Sequence, residues 1–169
     1  MEHDNQNNGE DKNSYTSLIV IVAMIALAVV VSSWGELTAG NWMVPMTRFM
    51  AGYFLVFSGF KFVDLSGFAE GYSTYDLLAK RWRGYGYVYP FLELGLGLAY
   101  LTRFELGVVN WVTLILMVFS GIGVMRAIRK QKGLHCACLG TKLDLPLSTV
   151  TVIEDFGMAA MAALMLLFS

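Results

Sequence analysis

The stretch LGVVNWVTLILMVFSGIGVM, residues 106–125, decides the fold: its 20 residues hold no charge, and two short steps of charged sequence bound it at Arg103–Glu105 and Arg126–Lys130. About 20 apolar residues in a helix cross the roughly 30 Å hydrocarbon core of a bilayer. Working outward, similar runs fall at 17–34, 42–62, 85–101 and 150–168, giving five expected spans. The whole chain agrees with this reading. It has 169 residues, of which 56% are hydrophobic and 15% charged, with a mean hydropathy of +0.57, whereas soluble domains are roughly one quarter charged. Runs of this length have no barrel alternation, and in lipid the backbone must satisfy its own polar groups. The expected fold class is therefore all-α, an integral membrane helical bundle.

Charge sets the orientation and tests the third run, which contains Glu93. With five spans, Lys12, Lys61, Lys80, Arg81, Arg83, Arg126, Arg129, Lys130, Lys132 and Lys142 lie on the N-terminal side, ten against two, Arg48 and Arg103, opposite. If the third run did not cross, the split would be six against six. Cytoplasmic loops carry the basic excess, so five spans with a cytoplasmic N-terminus is the expectation. Net charge is −1 and there is no polybasic tract, which excludes a nucleic-acid partner on electrostatic grounds. Residues 1–16 are expected to form a polar cytoplasmic tail ahead of the first span. The tail lacks the basic start and small-residue cleavage site of a secretory signal, so the first helix is expected to be retained.

Gly52, Gly59, Gly95, Gly97, Gly121 and Gly123 suit close helix packing. Trp34, Trp42, Trp82, Tyr85, Tyr87 and Tyr89 stand near span ends, where aromatic rings favour the headgroup layer. The connection 63–84 mixes Phe68, Tyr72, Tyr75, Leu77 and Leu78 with charge, as an interfacial amphipathic piece would.

Two constellations carry chemistry. Cys136 and Cys138 are the only cysteines and lie beside His135 in the loop GLHCACLG, 133–140. Thiolates bind soft ions such as Cu(I) or Zn(II), with imidazole as a third ligand. Lys130, Lys132 and Lys142 favour the thiolate, which disulfide exchange also needs. A disulfide between residues i and i+2 closes a small strained ring, suiting a transient role. Inert cysteines remain a third reading.

The second constellation is Glu93, Glu154 and Asp155, since an ionisable group in a span usually faces the bundle interior. At 1.5 Å per residue, Glu93 lies about 12 Å and Asp155 about 10 Å from the cytoplasmic ends of their helices. Thr151, Asp155, Met158 and Ala162 share one face, so Asp155 is expected to point toward Glu93 beneath the Cys loop. Lys61 and Asp64 read as an interfacial ion pair or snorkelling charges, and Arg48 as reaching the opposite headgroups.

The run MAGYFLVFSGFKF at 50–62, followed by Asp64-Leu65, Gly67-Phe68-Ala69, Tyr75-Asp76 and Ala79-Lys80-Arg81, resembles the MauE/DoxX family of redox-associated membrane proteins. Tyr89-Pro90-Phe91, Glu93 with LGLG at 94–97, Cys136-Ala137-Cys138-Leu139-Gly140-Thr141, LPLSTVT at 145–151 and Glu154-Asp155 continue the likeness over roughly 43–169. The resemblance implies a bacterial inner-membrane bundle with a DoxX-like four-helix membrane domain at 43–169, to which this chain adds the polar tail at 1–16 and an N-terminal helix and connection at 17–42. Methylamine-utilisation members are associated with maturation of a disulfide-rich dehydrogenase subunit, and relatives carry an N-terminal heavy-metal-associated domain. The first sixteen residues here cannot hold such a domain, so metal delivery would need a separate metallochaperone. The expected function is thiol–disulfide redox or protein maturation through Cys136 and Cys138 with a thioredoxin-like partner. Copper-type metal binding or transport through His135, Cys136 and Cys138 is the alternative, and a structural membrane subunit a second.

Overall fold

A computed structural model of the protein describes residues 3–75, 79, 81–82, 84–130, 135–136, 145–146 and 149–168. The fold is all-α. Among the described residues there are seven helices, α1 (His3–Ser32), α2 (Trp34–Thr38), α3 (Met43–Val63), α4 (Leu65–Tyr75), α5 (Gly84–Thr102), α6 (Leu106–Lys130) and α7 (Thr149–Leu167). Their only strand pairing is two residues long and antiparallel, β1 (His135–Cys136) with β2 (Leu145–Pro146), in the register His135 to Pro146 and Cys136 to Leu145. Each of the five expected apolar runs falls on one of the long helices. By length and composition Leu106–Arg126 can cross a membrane alone, while Met43–Val63 and Leu65–Ser73 qualify jointly but are bent by 101° at their junction.

The bundle has an apolar rim around a core in which polar side chains lie among large apolar ones such as Met50, Phe54 and Met165. Ile19, Leu27, Val31, Leu98, Val108, Trp111, Ile115 and Leu167 are exposed on the outside, while Thr47, Ser58, Lys61, Glu93, Asn110, Thr113 and Ser120 are buried. Water gives no reason to arrange side chains so; a hydrocarbon surround does, because it accepts the apolar rim and expels polar groups to the interior.

The helices pack chiefly as two pairs, α3 on α5 and α6 on α7. Glycine makes each approach possible: a Cβ on Gly97 would come within 3.0 Å of Leu55 Cγ, and one on Gly121 within 3.1 Å of the Phe156 ring. Gly52 likewise admits Ile25 of α1, where a Cβ would meet Cγ2 at 3.1 Å. Gly59 and Gly95 have nothing within 4 Å, so the expectation of close packing does not extend to them.

Arg48, expected to reach the opposite headgroups, has one guanidinium nitrogen engaged at the end of α1. It donates to the Ser32 carbonyl and to Ser33 Oγ at 2.8 Å, closing the C-terminal end of α1 and tying it to α3. The α5–α6 turn is a Schellman closure, with Phe104 N–H donating to Ala99 O (3.0 Å) and Arg103 N–H to Tyr100 O (3.2 Å). Arg103, at φ 53°, occupies the left-handed position where glycine is usual.

Candidate functional site: a buried polar cavity

The chain turns sharply after Val63, and Asp64 makes the turn possible. Its Oδ1 accepts from Gly67 N–H at 2.9 Å and from Ser66 Oγ at 3.3 Å, capping the first turn of α4 as an N-cap aspartate does. Asp64 is therefore a helix cap. The turn carries α4 back across the end of α3, and Phe68 and Tyr72 become buried with the Tyr72 ring 4.7 Å from that of Tyr89 on α5. Gly86 lets α4 lie this close: a Cβ there would stand 3.1 Å from both Cα and O of Ala69.

Beneath α4 the Lys61 ammonium meets both oxygens of Glu93 at 2.5 Å, with the two residues 6% and 3% exposed. The same ammonium lies 4.8 Å from the centroid of the Tyr89 ring and 5.3 Å from that of Phe68, so aromatic faces hold it on the Glu93 side. This overturns the interfacial or snorkelling reading of Lys61: α4 covers the residue, and its charge is met by Glu93 inside the bundle. Tyr89, expected at the headgroups, is buried and faces Glu93 and Ser120.

A cavity of about 30 Å³ adjoins the ion pair, lined by Lys61 and Tyr53 of α3, Tyr72 of α4, Glu93 and Tyr89 of α5, Ser120 of α6 and Glu154 and Asp155 of α7, with apolar side chains between them. That volume holds a water molecule. Ser120 stands beside the Asp155 carboxyl, while Asp155 Oδ2 is closed off from solvent and has no hydrogen-bond partner. The three acids read from the sequence thus line one space. Tyr53, Tyr89 and Ser120, which complete it, were legible only as interface, packing or an isolated hydroxyl in an apolar run. A second buried network, Tyr100 Oη donating to Asn110 Oδ1 at 2.7 Å with Thr113 Oγ1 at 3.0 Å, ties α5 to α6 and carries no titrating group in the neutral range.

The strand pair stands at the α4 end, with β1 against α4 and β2 against α1. The backbone of His135 and Cys136 is described there; their side chains, and Cys138 entirely, lie outside the described residues. So does Thr151. Among the described residues no group of three His, Cys, Asp or Glu side chains is arranged to hold a metal ion.

A family described as methylamine utilisation protein MauE matches residues 40–168. No curated protein and no solved structure matches the chain. The family match begins just after α2 and takes in all four helices of the two packed pairs, every residue of the cavity and the whole Cys loop. MauE is a membrane family, in accord with the apolar rim and buried polar centre, and this chain belongs to it.

Proposed function

We propose that this MauE-family protein is a five-span inner-membrane protein that exchanges thiols and disulfides with a thioredoxin-like partner through Cys136 and Cys138, in the service of protein maturation. The observation that carries the reading is the placement of β1: the backbone of Cys136 is paired to Leu145 and backed by α4 at one end of the bundle. A Cys136 backbone beside α4, rather than within the two packed helix pairs, suits exchange with a soluble partner. The basic excess on the N-terminal side supports a cytoplasmic loop.

Exchange balances without a further oxidant. One thiolate of the pair attacks the partner disulfide and displaces one partner sulfur as thiolate. The second cysteine then displaces the partner, leaving a disulfide on this chain and a dithiol on the partner. The reverse direction transfers the same two electrons. Only the two sulfurs take part, so His135 is dispensable.

Single variants test this. Cys136→Ser or Cys138→Ser should trap a mixed disulfide with a partner, detectable as a reducible adduct, and His135→Ala should leave most activity. Soft-metal capture instead needs both thiolates and benefits from the imidazole. Absence of any adduct, together with weakened Cu(I) binding by the purified protein in all three variants, would replace exchange with metal binding. Full function in the double Cys→Ser protein would remove both and leave a structural subunit.

A further inference from the structure

The cavity carries more acid than its one ammonium can balance. Among the described residues lining it, Lys61 is the only cation, against Glu93, Glu154 and Asp155. Both Glu93 oxygens are taken by Lys61, and the Phe68 and Tyr89 rings hold the ammonium to that side. Asp155 lines the same space, and its Oδ2, closed off from solvent, has no hydrogen-bond partner. A bare carboxylate so enclosed would bear a heavy desolvation cost. A metal cation would meet the Lys61 charge in the same small space, whereas a proton neutralises Asp155 in place and adds no volume. A protonated carboxyl is also a donor, and the adjoining cavity has room for the water that would accept from it.

We propose that the cavity is a proton-binding site, in which Asp155 carries a proton at neutral pH and donates it to a water held between Ser120, Glu154 and the Lys61–Glu93 pair. The titratable and polar groups that line the cavity with Asp155 are Lys61 and Tyr53 (α3), Tyr72 (α4), Glu93 and Tyr89 (α5), Ser120 (α6) and Glu154 on its own helix. Of these the tyrosines are neutral in that range and Lys61 is committed to Glu93. Asp155 and Glu154 are thus the residues free to exchange a proton with a water. Gly121 fixes the geometry, since a Cβ at that position would stand 3.3 Å from Asp155 Cβ. The site stands whether or not the loop thiols exchange with a partner.

Infrared absorption of the full-length protein in an ester-free detergent at neutral pH tests it. The expected spectrum contains a carboxylic-acid C=O band that moves to lower frequency in D2O, persists in Glu154→Gln, and is lost in Asp155→Asn. Ser120→Ala, which keeps the carboxyl and removes one neighbouring hydrogen-bonding group, should shift the band without removing it, and serves if Asp155→Asn does not fold. No carboxylic-acid band in the wild-type protein, a band that survives in Asp155→Asn, or a band unmoved by Ser120→Ala would overturn the proposal.

Discussion

Lys61 sits two residues before the C-terminal end of α3, a position from which a long side chain ordinarily reaches water. It is buried because the chain reverses at Asp64 and lays α4 across it, a 101° bend that no periodicity in 43–75 announces. The Lys61–Glu93 contact spans 32 residues of sequence, so its partner is fixed by tertiary structure alone. Removing one member strands the other charge. Lys61→Met or Glu93→Leu should each destabilise the protein by about 3 kcal/mol in detergent unfolding, and the double variant should recover most of the loss, because a buried pair exchanged for apolar side chains of similar volume is nearly neutral. Additive losses would show that the two side chains do not act as a pair. The acids were legible because charge inside an apolar run is conspicuous. Ser120 and Tyr53 were not, since a hydroxyl or phenol in such a run is equally at home in packing.

At the scale of elements, α4 joins the two helix pairs through the cavity and carries β1 on its flank. Its apolar face, Phe68 and Tyr72 at i and i+4, could be read as amphipathic from sequence, but a bundle and a headgroup layer bind the same face. What selects the bundle is the pocket opened by Gly86. Gly86→Ala should therefore destabilise the protein by about 1–3 kcal/mol, the cost of overpacking against backbone that cannot swing aside. Gly95→Ala, on the same helix with nothing within 4 Å, should be neutral or stabilising by up to about 1 kcal/mol, from helix propensity. Thermal unfolding of the two variants side by side checks this, and equal effects would mean that α4 does not rest on α5 at Gly86. The same comparison explains why six candidate packing glycines could not be ranked by spacing: Gly97 and Gly121 face a neighbouring helix, while Gly59 and Gly95 do not.

For the whole molecule, hydropathy located the long helices closely, because runs of apolar residues bounded by charge leave little freedom in where a helix lies. It could not say how they pair. Four helices joined as α3 with α5 and α6 with α7 enclose a polar centre only because Glu93 and Asp155 meet at similar depth, a consequence of helix rise along two separate segments. Outside, the apolar rim continues around α1, α5, α6 and α7, as a bilayer requires. The central proposal is that the Cys loop of this membrane bundle faces the cytoplasm, as five spans with a cytoplasmic N-terminus require, and the side of the loop can be read directly because Cys136 and Cys138 are the only cysteines in the chain. The measurement is labelling by a membrane-impermeant maleimide after mild reduction, in intact spheroplasts and in inverted membrane vesicles. The account predicts no label in the spheroplasts and full label in the vesicles; label in the intact spheroplasts would contradict it, placing the loop on the periplasmic face.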